Sequence, residues 1–136
     1  MIFYKQGRYS EAAKVAEEAV AVAEKTFDPE HPDVATALER LGSLHTTVGN
    51  LDEALPNLER SLAIRQNCLG PDHLDTGRSH YSLGVLFYYM GELQKAKTSF
   101  EEAVRVMSAK LDSDHSELVA VRHNLTHVSN QLDKGK

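Results

Sequence analysis

The chain has 136 residues, 41% of them hydrophobic and 26% charged, with a formal net charge of −5. Such a composition belongs to a folded protein and not a disordered one. The acidic balance argues against nucleic acid, whose binding needs Lys and Arg to neutralise phosphates, and against an acidic membrane surface.

The single cysteine, Cys68, excludes an internal disulfide framework and fits a reducing compartment, so a cytoplasmic location is expected. No apolar run approaches the roughly 18 residues of a membrane span.

From the N-terminus, residues 1–6 read as the last turn of a helix. Ile2-Phe3-Tyr4 aligns there with Leu44-His45-Thr46 and Leu86-Phe87-Tyr88. The expectation is a piece of a longer array, or one that borrows a neighbour to cover its first face. A first full helix is predicted over about 9–26, starting after Gly7, with Tyr9, Ala12, Ala13, Ala16, Ala19, Val20 and Ala23 as its apolar stripe. Phe27-Asp28-Pro29-Glu30-His31-Pro32 breaks it, and Pro32 suits the first turn of the next helix.

The second helix, about 32–48, carries the seam Val34, Leu38, Leu41, His45 and Val48. Gly49 suits a left-handed terminating position, and Asn50 reads as the cap of the third helix. That third helix, about 51–68, shows Leu51, Ala54, Leu55, Leu58 and Leu62 on its inner face, a slight bend at Pro56, and Cys68 as a small, partly buried packing residue near its end. A fourth covers about 73–90 with Leu83, Leu86, Phe87 and Met90 buried. A fifth covers about 92–110 with Leu93, Ala96, Phe100, Ala103 and Val104, and a sixth runs from about 115 to 132 before a polar, frayed tail.

The segments share one phase. Gly7, Gly49 and Gly91 are 42 residues apart, and the same interval relates Ala12/Ala54/Ala96, Val22/Ile64/Val106 and His31/His73/His115. A period of this size means stacked units, each burying its oily face on a neighbour. The fold class is therefore all-α: an α-solenoid of antiparallel helix pairs, one array over 1–136. Its expected pieces are a partial unit at 1–30, units at 31–72 and 73–114, and a terminal helix at 115–136.

Leu41-Gly42-x-x-His45 and Leu83-Gly84-x-x-Phe87, with Ala54-x-x-x-Leu58 and Ala96-x-x-x-Phe100, resemble the tetratricopeptide repeat. The 42-residue unit and the parallel stretches DPEHPDV and DSDHSEL look like the kinesin light chain variety. The chain departs from the pattern at Leu38 and His80, where the family has a large aromatic. It departs again at Thr126, where the earlier units have Gly42 and Gly84, so the last helix reads as a cap. The resemblance implies a right-handed superhelix whose concave face is lined by the first helix of each pair.

On those helices the exposed inner positions are Thr36, Glu39, Arg40, Ser43 and Thr47, then Arg78, Tyr81, Ser82, Val85 and Tyr89, then His123, Asn124, His127 and Gln131. Arg and Tyr carry binding energy at interfaces, and Ser and Asn can hydrogen-bond an extended backbone. The candidate peptide-binding set is Arg40, Ser43, Arg78, Tyr81, Ser82, Tyr89, His123 and Asn124. Kinesin light chains recognise short peptides with aromatic and acidic residues, so the resemblance implies a protein or peptide partner of acidic character, held by Arg40 and Arg78.

No catalytic residue, cofactor or metal is expected. No phosphate loop, nucleophile elbow or H-E-x-x-H signature is present, and His123/His127 lack a third ligand placed by sequence. His31, His73 and His115 recur once per unit at loop-to-helix junctions, which reads as capping or packing. The reading is a peptide-binding scaffold or adaptor and not an enzyme. The rival is a structural segment that self-associates through the uncovered N-terminal end.

Overall fold

The structure, a computed structural model, describes residues 6–135. Six helices succeed one another: α1 Gln6–Thr26, α2 Pro32–Val48, α3 Leu51–Leu69, α4 Leu74–Tyr89, α5 Leu93–Ser108 and α6 Ser116–Lys134. Among the described residues there is no strand, and each helix packs on its successor in an α-solenoid. None of these helices is long and apolar enough to cross a membrane. The expected helical turn at Ile2-Phe3-Tyr4 lies outside the described residues. Contrary to expectation, Gly7 does not precede α1 but lies inside it.

Local chemistry explains most boundaries. Gly49, Gly70 and Gly91 have φ of 90°, 93° and 81°, the left-handed region where a side chain is strained. Gly49 ends α2, and its N–H and that of Asn50 reach back to the last carbonyls, at Thr46 and His45. The recurring histidines are the N-caps of α2, α4 and α6: Nδ1 of His31, His73 and His115 accepts from the backbone N–H of Asp33, Asp75 and Glu117 at 3.0, 3.0 and 3.2 Å. Each thus satisfies an otherwise orphaned donor, and the acidic residue that supplies it favours the positive end of the helix dipole.

Asn50 does not cap α3 with its side chain. Its amide instead donates to Tyr9 Oη at 2.6 Å, and Tyr9 Oη also bonds His45 Nδ1, so one tyrosine ties α1 to α2 and to the turn beyond it. Pro56 is accommodated within α3, which continues to Leu69.

The core is serial. Ala23, Val34, Ala35, Leu38 and Ile64 form one cluster, Ala54, Leu58, Leu83 and Leu86 a second, and Ala96, Phe100, Ala103, Met107, Leu118, Val121 and Val128 a third. On α3 the buried seam is Ala54, Leu58, Ser61, Ile64 and Arg65; Leu55 and Leu62 are only partly covered. The expected inner face of α3 was rotated toward the leucines. Two neighbours, α2 and α4, enclose this helix, and polar Ser61 and Arg65 can be buried because α2 and α4 supply their hydrogen-bond partners. Cys68 is exposed and not a packing residue; its thiol donates to the Glu30 carbonyl at 2.7 Å.

Small residues set the helix spacing. A Cβ on Gly42 would lie 2.6 Å from Leu58, and one on Gly84 2.6 Å from the Phe100 ring. Ala54, fully buried, lies under the same crossing. Ala54→Leu should overpack it and cost about 1–3 kcal/mol. An unchanged thermal melting curve would contradict that packing.

Candidate functional site

The second half of α4 forms the middle of the candidate site. Ser43, Thr46 and Thr47 of α2 face Tyr81, Ser82, Val85 and Tyr89 of α4 across a hollow of about 530 Å³. On the other side of α4 a hollow of about 260 Å³ is lined by Val85, Tyr88, Tyr89, Phe100, His123, Asn124, His127 and Val128. Val85 and Tyr89 wall both, so the two adjoin along one surface crossing α2, α4 and α6. Helical period explains the line-up: 81, 85 and 89 are successive i,i+4 positions on one face of α4.

Hydrogen bonds hold much of this surface in place. Asn124 Nδ2 donates to Tyr81 Oη at 3.1 Å, and the Tyr81 ring lies tilted on Phe100 with centroids 5.8 Å apart. Tyr88 Oη and His127 Nε2 share a hydrogen bond of 3.1 Å. Ser82 Oγ donates to Glu39 Oε2 at 3.2 Å. Tyr89 is different: its side chain is 61% exposed and stands edge-on to Tyr88. It offers apolar ring surface to solvent within an already ordered frame.

Of the sequence candidates, Ser43, Tyr81, Ser82, Tyr89, His123 and Asn124 meet in these two hollows. The two arginines do not. Arg78 sits in a separate recess with Tyr81, Ser116 and Glu117. It donates to Glu117 Oε2 at 3.0 and 3.2 Å and to Asp75 Oδ1 at 2.8 Å. The hydrogen bond to Glu117 raises the Arg78 pKa, burial opposes this, and Asp75 adds to the rise. Its charge is therefore already matched by the protein's own carboxylates.

Arg40 is exposed and lines a groove of about 760 Å³ between α1 and α2. The neighbouring Glu39 does not offset it, because Glu39 is engaged by Arg65 Nη1 at 3.0 Å.

Sequence reasoning missed Arg65, which is 4% exposed. Its guanidinium also donates to Ser79 Oγ, the Asp75 carbonyl and Thr36 Oγ1, so it joins α2, α3 and α4 beneath the site. The one available signal was an arginine at the 42-residue phase of Met107 and Ala23, both on inner faces. Tyr88 and Phe100 as walls were missed too; the run Phe87-Tyr88-Tyr89 was the clue. His123 and His127 share the second hollow, and among the described residues no three His, Cys, Asp or Glu groups converge on a point that could hold a metal.

A family profile for the tetratricopeptide repeat matches residues 1–65 and 33–109. The chain belongs to the tetratricopeptide repeat family. As a tetratricopeptide repeat protein it is a protein-interaction module built on repeats.

Solved structures agree in fold. A protein described as a kinesin light chain with nearly identical TPR-like repeats, from Podosopora anserina, superposes with a TM-score of 0.82 at 27% identity, over 91% of this chain and 59% of that one. BtubC (BKLC) from P. vanneervenii superposes with a TM-score of 0.82 over 95% of this chain and 52% of that one, and at 21% identity it speaks to fold alone. The present chain thus spans between half and three fifths of these two structures. No curated protein matched it. The kinesin light chain-like character expected from the 42-residue unit is shown by these likenesses.

Proposed function

We propose that the surface crossing α2, α4 and α6 binds an extended segment of a partner protein, so that the chain acts as a scaffold or adaptor. The observation that carries this is the pair of adjoining hollows sharing Val85 and Tyr89. An aromatic or aliphatic side chain of the ligand would pack on the Tyr89 ring, and Ser43, His123 and Asn124 would meet its backbone. Aromatic anchors in partly enclosed sites carry most of the energy at such interfaces.

Arg78 is occupied by Glu117 and Asp75, so a preference for acidic ligands falls to Arg40. On this reading residues 31–72 and 73–114 are the working units, with 1–30 and 115–136 flanking them.

A peptide-library screen tests the proposal with variants that leave the frame intact. Tyr89→Ala removes an exposed ring and should weaken selected peptides about tenfold or more, equivalent to at least 1.4 kcal/mol. Arg40→Glu should remove any enrichment of Asp and Glu without abolishing binding. Identical selection profiles for the wild type and Tyr89→Ala would end the proposal.

A second reading, self-association, has its own observation. The α1 side chains Val15 and Val22 are 64% and 60% exposed, beside the large groove over α1 and α2.

A further inference from the structure

The two hollows of the candidate surface are the same place one repeat apart. A shift of 42 residues carries Ser43, Thr46 and Thr47, the α2 wall of the first, onto Val85, Tyr88 and Tyr89, the α4 wall of the second. The same shift carries Tyr81, Ser82 and Val85 onto His123, Asn124 and His127. Both hollows therefore arise from the stacking of the units, and only side-chain chemistry distinguishes them. Where the first has a wall of hydroxyls, the second has a wall of rings.

Those rings meet at steep angles. Tyr88 neighbours both Tyr89 and His127, with centroids 5.5 and 5.6 Å away and planes inclined by 68° and 62°. Phe100, 1% exposed, adds a ring from α5. The hydrogen bond between Tyr88 Oη and His127 Nε2 fixes two of the rings before anything binds. The hollow of about 260 Å³ compares with about 30 Å³ for one water, which leaves room for a branched head group.

Charge decides what that head group is. Among the described residues no Lys, Arg, Asp or Glu lines this hollow. The cations of α4 and α5 nearest in sequence are engaged elsewhere: Arg78 with Glu117 and Asp75, and Lys95 over the Phe87 ring at 5.7 Å. A ligand carboxylate would lose water there and find no cation to receive it. A ligand cation would instead meet aromatic rings, whose faces attract positive charge.

The kind of cation follows from the missing carboxylate. A bare ammonium is strongly hydrated and carries three N–H donors, and the hollow offers no anion in exchange. A methylated ammonium keeps the charge, has fewer donors to satisfy, and packs its methyl groups on the rings.

We propose that the hollow between α4 and α6 takes a methylated lysine of the partner segment, its head among Tyr88, Tyr89 and His127 and its stem along Val85. This rests on the reading of the surface as a peptide site, and names the residue that one of its two hollows selects. The ligand residue over the first hollow, where hydroxyls replace rings, should show no such selection. An acidic preference at Arg40 is compatible, because Arg40 lines a different groove.

Two measurements test the proposal and separate it from the peptide reading. The first is an NMR titration of the whole chain with capped trimethyl-lysine, with its neutral carbon isostere, and with choline. Trimethyl-lysine should shift the signals of Tyr88, Tyr89 and His127 together, and should bind at least about fivefold more tightly than the isostere. Choline has the same head without the lysine stem and should bind more weakly than trimethyl-lysine.

The second measurement remakes the selected peptides with trimethyl-lysine, lysine, arginine, the isostere or glutamate at each position in turn. One position should favour trimethyl-lysine over all the others, with glutamate weakest there. Tyr89→Leu keeps apolar cover but removes a ring, and should erase the preference for the charged head over its isostere. Circular dichroism checks that this variant stays helical.

Equal affinity for trimethyl-lysine and its isostere would overturn the proposal while selected peptides still upheld the peptide surface. Signal shifts confined to other residues would overturn it too, as would a position that prefers unmethylated lysine or arginine. Choline binding as tightly as trimethyl-lysine would assign the hollow to a free quaternary ammonium and end the claim for a peptide lysine. A failed peptide screen with the ring shifts intact would count against the extended-segment reading alone.

Discussion

Phe100→Ala should lower the free energy of unfolding by about 3–5 kcal/mol, the range for removing a large buried aromatic. Phe100 is 1% exposed, lies directly under Gly84 and supports Tyr81. Its loss empties the centre of the α4–α5–α6 cluster, and the other two clusters lie further along the array where they cannot fill it. Phe100→Leu should cost much less, because Leu58 fills the same place in the preceding unit beneath Gly42.

The glycine gives a sharper check. Gly84→Ala alone should destabilise, since its Cβ would meet the ring at 2.6 Å. In the Phe100→Ala background it should be neutral or favourable. A urea-denaturation cycle over the four chains reads this as a coupling between the two sites. Additive effects would mean that the ring does not lie under Gly84. Because Phe100 also walls the hollow between α4 and α6, Phe100→Ala should weaken peptide binding even where the chain remains folded.

Arg65→Met is the second large effect, about 2–4 kcal/mol. Removing one partner of a buried ion pair leaves the other charge uncompensated, and the lower end of the range reflects Glu39 being 20% exposed. Methionine is the substitution of choice because Met107 occupies the equivalent place in α5, fully buried. Packing alone should therefore tolerate it.

Adding Glu39→Gln should recover part of the loss by removing the orphaned carboxylate, although Ser79 and Thr36 still lose a donor. Chemical denaturation of the single and double variants decides the matter. If Glu39→Gln deepens the loss in the Arg65→Met chain, the cost does not come from the stranded charge. Ser82 bonds the same Glu39 oxygen, so these variants also report on the registry of α2 and α4 at the candidate site.

The parts of this protein that could be read from sequence are those governed by neighbours along the chain. A glycine at positive φ, a histidine whose Nδ1 reaches the N–H two residues on, and a proline in a first helical turn depend on a few adjacent residues. The 42-residue repeat then supplied the stacking, because equivalent positions must bury equivalent faces. Six of the eight candidate groove residues came together for the same reason: they lie on regularly spaced faces of α2, α4 and α6.

The errors concern contacts between residues remote in sequence. Arg78 reads as a free cation until Glu117, 39 residues away, is found bonded to it. Arg65 goes unremarked until α2 and α4 close around it. Asn50 stands at the N-cap of α3 as expected, but its side chain is turned to Tyr9 and makes no cap bond, and Cys68 reads as packing until the Glu30 carbonyl is found beside it.

By itself, then, the sequence determined the helices, their ends, the order of stacking and the tetratricopeptide class, since backbone stereochemistry and hydrophobic period act locally and repeat. Only the tertiary structure decided which polar side chains are already satisfied and which remain open to a partner. That depends on hydrogen bonds and ion pairs formed across helices, whose cost or gain is set by how completely the neighbouring helices exclude water.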